Sequence, residues 1–168
     1  AVLKVRASAH TDSARAYRRK LGLDDKPSVA VVVQRMIEPD CAGVMFTANP
    51  INGSDERVIE AAWGLGEAVV AGLVVPDNFL LAADGRVIKR RIGEKDIALR
   101  SNPAGGTIEE VVKPSLVNAP CLSDAQLAQL HELGSRCEKH FGRGLDLEWA
   151  FSQNRLYLLQ CRAMTRNR

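Results

Sequence analysis

Paired cysteine motifs, long apolar runs and a dominant charge sign are all missing from this sequence. Its four cysteines stand at positions 41, 121, 137 and 161, with no C-x-x-C pair and no histidine at metal-finger spacing. That excludes the common zinc-finger arrangements and leaves four reduced, mostly buried thiols of a cytosolic protein as the expectation. No stretch approaches the roughly 18 consecutive apolar residues that a membrane-spanning helix needs. Lysine and arginine number 23 against 20 aspartates and glutamates, a net charge of +3. A nucleic-acid-binding surface calls for a stronger basic bias. The basic clusters at Arg15 to Lys20 and Lys89 to Arg91 are either solvated faces or a rim that attracts phosphate. The first residues (AVLKVRASAH) contain neither an initiator Met nor the apolar core of a signal peptide, so a piece of a longer chain is expected. There is no internal repeat and no low-complexity stretch.

What is present is enough for a core. The 168 residues are 46% hydrophobic, which fits one domain or a large part of one. Residues 11–22 read as a helix capped by Thr11 or Asp12 and ended by Gly22. The β-branched run VAVVVQRMI at 29–37 reads as a strand buried on both faces, interrupted by Gln34. Further strands are expected at 42–47 and 57–62, with Asn49-Pro50 and Asn52-Gly53 as turns between them. A glycine-punctuated loop, Gly64-Leu65-Gly66-Glu67, precedes the apolar segment 68–75. Asp84-Gly85 between 79–83 and 86–92 predicts a hairpin with a two-residue loop. Residues 93–121 read as loops or short strands. Ser123 opens a helix, with Gln126 completing a capping box. Leu127, Leu130, Gly134, Cys137 and Phe141 share one face of it, and Gly142 and Gly144 end it. His131 and His140 are expected to face solvent. The class is α+β.

The chain closes on LDLEWAF and RLYLLQCR, joined near 152–154, which predicts a β-hairpin. Alternate residues of a strand share a face. Leu147, Trp149 and Phe151 therefore oppose Asp146 and Glu148, and Tyr157, Leu159 and Cys161 oppose Gln160 and Arg162. A turn of three or five residues would align the two apolar sets and bring Asp146, Glu148, Gln160 and Arg162 together; a two-residue turn would scramble them. Such a cluster suits phosphoryl transfer. Mg²⁺ favours one or two carboxylates with phosphate oxygens and water, and an arginine can hold transferring phosphate oxygens. Simple ion pairing on an exposed hairpin is the plain alternative.

Several segments in order carry a resemblance: VAVVVQRMI, AGVMFTANPINGS, AAWGLGEAVVAGLVVPD, RRIGEKDI, and LDLEWAF followed by LYLLQCRAMT. Together they resemble the nucleotide-binding domain of the phosphoenolpyruvate synthase, pyruvate phosphate dikinase and rifampin phosphotransferase family. The resemblance runs from about residue 7 to 165. It implies the second lobe of an ATP-grasp fold, mostly antiparallel sheet with flanking helices and a C-terminal hairpin. It further implies ATP and Mg²⁺ as cofactors. Glu148 and Gln160 resemble the family's metal and phosphate ligands, Asp146 its acidic catalytic-site residue, and Arg162 its phosphate-contacting arginine. Gln34 resembles the glutamine of the adenine-binding strand, with the backbone of Arg35, Met36 and Ile37 beside the base; a buried amide satisfied by neighbouring backbone is the other reading. Gly64, Gly66 and Glu67 either approach the nucleotide or only make a tight turn. Thr47 and Asn49 either face the phosphates or end a strand, and Lys95, in the family's G-x-K motif, is expected at the surface.

Three features depart from the family pattern, one of them Ser13, which stands where the family segment matching TDSARAYR carries Arg. Arg162-Ala163-Met164-Thr165 stands where the family has Arg-Pro-x-Thr, so the rigid proline is lost. No counterpart of the first lobe or of the phosphohistidine domain is found. The resemblance thus implies part of a cytoplasmic ATP-dependent phosphotransferase whose partners are those remaining domains and a small-molecule acceptor such as pyruvate. A non-catalytic lobe serving as an interaction module, or a phosphate-binding regulator, are the competing readings.

Overall fold

The computed structural model describes residues 1–23 and 27–164; Thr165 lies outside them. The chain divides into two compact units, Ala1–Met36 and Ile37–Arg168.

The first unit begins with two helices, α1 (Val2–Ser8) and α2 (Asp12–Lys20). The α2 helix starts as its residues dictate. Thr11 caps it by accepting a hydrogen bond from the Ala14 amide, and Gly22 (φ 65°) turns the chain away past its end. The α1 helix lacks a side-chain cap, the signal by which a short helix is found in sequence. Residues 27–36 contradict the expected buried strand. They form no regular element, and Val32 and Val33 are 82% and 86% exposed. A β-branched run becomes a strand only where a neighbour completes its hydrogen-bond ladder, and no strand lies among the described residues of this unit.

The second unit is built on a six-stranded antiparallel sheet. Its strands are β1 (Cys41–Phe46), β2 (Arg57–Trp63), β3 (Asp77–Leu81), β4 (Val87–Arg91), β7 (Leu145–Ser152) and β8 (Arg155–Ala163). They lie in the order β4-β3-β2-β1-β7-β8. A separate hairpin comprises β5 (Ile97–Ser101) and β6 (Thr107–Val111). Short helices α3 (Glu67–Val70) and α4 (Pro114–Val117) and the long α5 (Asp124–Phe141) complete the unit. The class is α+β, as the sequence predicts. Among the described residues no helix is long and apolar enough to cross a membrane.

One face of the sheet carries the main core. Met45, Ile59, Phe79, Leu81, Leu147, Trp149 and Phe151 pack against Leu127, Leu130 and Cys137 of α5. Burial of each large side chain contributes about 1.5–3 kcal/mol. The Ser123–Gln126 capping box forms in full. Phe141 departs from the expected stripe and is 69% exposed. His131 departs too: half-buried, it accompanies Arg57, which threads between β2 and α5 and donates to the His131 carbonyl, to Ser135 Oγ and to Glu138. Burial, then the Arg57 charge, holds the His131 imidazole below its usual range.

The opposite face is partly covered by a smaller cluster in which α3 and β5 contribute Ala68, Val69 and Leu99. The glycine loop serves this packing. Gly64 (φ 74°) bridges Leu99, and a Cβ at Gly64 would lie 2.4 Å from the Leu99 carbonyl oxygen. Glu67 is exposed at the start of α3. The tight-turn reading of this loop therefore has a physical cause.

Two expectations need correction here. The Asp84-Gly85 hairpin has a three-residue loop rather than two. Ala82 donates to the Arg86 carbonyl, and Gly85 takes the left-handed position (φ 86°). Lys95 is fully buried rather than at the surface. Its Nζ donates to Asp77 Oδ1 at 2.5 Å and to the Gly93 carbonyl at 2.9 Å, while Asp77 also accepts from the amides of Gly93 and Cys121. All four cysteines are free thiols; three are buried and Cys161 is half-buried. The neighbouring Cys41 thiol, burial and the Asp77 charge push the Cys121 thiol far up, so its sulfur stays protonated.

Candidate functional site

The terminal hairpin turns through two residues, Gln153 and Asn154, both left-handed (φ 50° and 59°). This is the turn that was expected to scramble the two faces. The strands begin in the corresponding register, with Ser152 opposite Arg155 and Trp149 opposite Leu158. A β-bulge then takes up Leu159, and beyond it Glu148 pairs with Gln160, Leu147 with Cys161, and Asp146 with Arg162. One unpaired residue thus restores the alignment that a longer turn would have supplied. It also divides the expected apolar set of β8. Leu156 and Cys161 pack on the core, whereas Tyr157 pairs with Ala150.

Four expected residues therefore share the sheet face opposite α5. Asp146 is buried but for 8% of its surface. Its Oδ2 accepts from Arg162 Nε at 2.9 Å and Nη2 at 2.6 Å. The Arg162 side chain is 62% exposed. One edge of the guanidinium is fixed and the rest is presented to solvent, the arrangement that suits an arginine meeting phosphate oxygens. Gln160 Nε2 donates to Glu148 Oε1 at 3.4 Å, a long bond from a neutral amide. Glu148 is cross-strand from Val44 on its other side, so an apolar neighbour and an amide flank a carboxylate. Across the sheet the same row continues to Glu60, opposite Val44, and Asn78, which donates to Glu60 at 3.4 Å. Glu60 alternates with the buried Ile59 and Ala61, and that alternation is the sequence signal that places it on this face.

A Mg²⁺ ion fits this donor set in part. It takes one or two carboxylates and completes its octahedron with water and phosphate. Glu148 and the Gln160 amide oxygen are the protein groups available to hold it. Among the described residues no three of His, Cys, Asp and Glu converge as a closed metal site.

The remaining candidates are placed differently. Gln34, Arg35 and Met36 belong to the first unit and are exposed, so Gln34 is not the buried amide of the second reading. Ile37 is half-buried in the second unit. Thr47 is buried, its Oγ1 accepting from the Leu145 amide, and Asn49 bonds Glu56 and the Ile51 amide. Both serve the strand end.

Residues 1–168 match the family described as pyruvate phosphate dikinase, AMP/ATP-binding domain. A probable phosphoenolpyruvate synthase of Methanothermobacter thermautotrophicus is 42% identical over 151 residues, 89% of this chain and 22% of that protein. A rifampicin phosphotransferase of Streptomyces sviceus is 41% identical over 161 residues, 95% of this chain and 18% of that protein. The phosphoenolpyruvate synthase of Pyrococcus furiosus is 38% identical over 170 residues, 95% of this chain and 21% of that protein. The chain spans about a fifth of the length of these relatives.

Proposed function

Because this chain belongs to the pyruvate phosphate dikinase AMP/ATP-binding domain family, we propose that it is the second-lobe part of an ATP-grasp domain and binds Mg-ATP for an ATP-dependent phosphotransferase. The observation that carries this reading is the shared face of Asp146, Glu148, Gln160 and Arg162, held there by the Leu159 bulge.

In this reading Glu148 and Gln160 hold the metal, which when bound supplies positive charge to the phosphate oxygens. Arg162 contacts the phosphoryl group in transfer, and Asp146 fixes its orientation. The backbone of Arg35, Met36 and Ile37, with Gln34, holds the adenine edge. The acceptor is a small molecule such as pyruvate, reached through a phosphohistidine carried by another domain, in the cytoplasm. Phosphoryl transfer relies on positioning and on charge neutralisation from several sides. The hairpin supplies one side, so the isolated chain binds nucleotide weakly and turns it over poorly.

The test is calorimetric titration of Mg-ATP into the chain and into a Glu148→Ala, Arg162→Ala variant. Charge-assisted hydrogen bonds contribute about 1.5–3 kcal/mol each, so the variant is expected to lose affinity by at least about tenfold. Equal binding by both proteins would remove the site from the hairpin.

A further inference from the structure

Two of the four cysteines meet where α5 lies on β8. Cys137 of α5 is buried, and Cys161 of β8 is half-buried and packs on the same core. The Cys161 thiol stands within hydrogen-bonding reach of Cys137. Cys161 pairs with Leu147 between Gln160 and Arg162, and it faces α5 while those two neighbours face away. The strand that carries all three is an edge strand, bonded to β7 alone. A cleft of about 410 Å³ runs along the same seam, lined by Glu132, Leu133 and Arg136 of α5 and by Arg155, Leu156 and Leu158 of β8. Both elements continue from the cleft to the two thiols. Its two arginines outweigh its one carboxylate, so a small anionic reagent is drawn to it. Burial holds the Cys137 thiol above its usual range, which leaves Cys161 as the group that meets such a reagent first. The other two cysteines, Cys41 and Cys121, also lie side by side, but they are only 1% and 5% exposed and the Asp77 charge opposes a thiolate at Cys121. That pair has no accessible member.

We propose that Cys137 and Cys161 are a reversible dithiol–disulfide pair, closed by a small anionic disulfide of the glutathione class, that staples α5 to the edge strand carrying Gln160 and Arg162. The proposal does not depend on the Mg-ATP reading. The Cys161 thiolate attacks one sulfur of the reagent, a mixed disulfide forms and one glutathione leaves. Cys137 then loses its proton and attacks the Cys161 sulfur, the bond between the two cysteines forms and the second glutathione leaves. Two protein thiols are oxidised, one reagent disulfide is reduced to two thiols, and the two protons pass to the departing thiolates. Thiols that already touch need little backbone movement to bond. The closed bond restricts the unfolded chain and ties the free edge of the sheet to α5.

The experiment incubates the folded chain with oxidised glutathione, blocks it with N-ethylmaleimide and digests it for mass spectrometry, with free thiols counted in parallel. The count is expected to fall from four to two, with one peptide linked through Cys137 and Cys161, and dithiothreitol is expected to restore all four. Cys137→Ala removes the second attacking thiol and should stop with a single glutathione on Cys161. Cys161→Ser should keep all its remaining thiols free. In urea the oxidised parent should unfold at a higher midpoint than the reduced parent, whereas Cys161→Ser should unfold at the same midpoint before and after incubation. Four free thiols in the incubated parent, a linkage through Cys41 or Cys121, or glutathione left on Cys161 of the parent would each overturn the proposal. An unchanged midpoint in the linked parent would overturn the staple. Should Cys137→Ala not fold, the linked peptide of the parent and the behaviour of Cys161→Ser decide the question.

Discussion

Single residues in this chain behave according to what surrounds them, and Lys95 is the clearest case. In the sequence it is one lysine after Gly93-Glu94, and nothing local separates it from a solvated one. Its surroundings are supplied from far along the chain. Asp77, at the start of β3, offers a carboxylate at 2.5 Å, and both side chains are fully buried. The carboxylate also collects the amides of Gly93 and Cys121, so one ion pair ties three separate segments together. Glycine is required at position 93, where a Cβ would lie 2.0 Å from the Val75 carbonyl oxygen. Removing one partner of a buried pair strands the other charge, at a cost of about 3–5 kcal/mol. Lys95→Met should therefore lower the urea midpoint of the chain sharply, whereas Lys89→Met, at an exposed position, should leave it nearly unchanged. A midpoint for Lys95→Met equal to that of Lys89→Met would show that the pair adds nothing. Arg162 makes the contrasting case: its ion-pair partner, Asp146, stands in the adjoining strand of the same hairpin, where sequence reasoning could look for it.

At the scale of elements, legibility follows the range of the interactions that make them. The α2 and α5 helices are written locally, in Thr11, in the Ser123–Gln126 box and in the glycines that end them, and they form as read. The strands at 57–62 and 145–152 are written in their alternation. The loop lengths are not. Asp84-Gly85 gives a three-residue loop, and Gln153-Asn154 gives a two-residue turn without a glycine. Nor does any local rule reveal that Leu159 bulges, because the bulge answers a register set by strand pairing. That register yields a sharp expectation. The unpaired residue lies between Leu158, opposite Trp149, and Gln160, opposite Glu148. Deleting Leu159 straightens β8 and leaves Gln160 and Arg162 facing Glu148 and Asp146. Inserting one alanine after Leu159 lets β8 alternate without the bulge but slips Gln160 by two positions, from opposite Glu148 to opposite Asp146, and carries Arg162 away from Asp146. Mg-ATP affinity should stay within about twofold on deletion and fall at least about tenfold on insertion, if the face carries the site. Calorimetry reads both, and loss of binding on deletion alone would contradict the register.

For the whole molecule the informative contrast is between its two units. Every residue that is buried among those described lies beyond position 36, and neither α1 nor α2 contains one. The first unit exposes Leu3, Tyr17, Leu21, Val32 and Val33, so its apolar residues gain little from folding within this chain. Composition does not reveal this, because the count of apolar residues is blind to where they go, and VAVVVQRMI reads as core although it joins neither sheet. The second unit has what an independent fold requires: a sheet with α5 packed on one face, the buried Asp77–Lys95 tie, and a core of large side chains from both layers. Some 130 residues is an ordinary domain size. A chain reduced to residues 37–168 should therefore melt cooperatively, within a few degrees (about 1 kcal/mol) of the full chain. Its amides in β1, β2 and β7 should be as protected from exchange as in the parent. Loss of cooperative melting on removing residues 1–36 would mean that the first unit stabilises the sheet despite having no buried side chain of its own. Intact melting together with loss of Mg-ATP binding, but not of tripolyphosphate binding, would assign the first unit to the base.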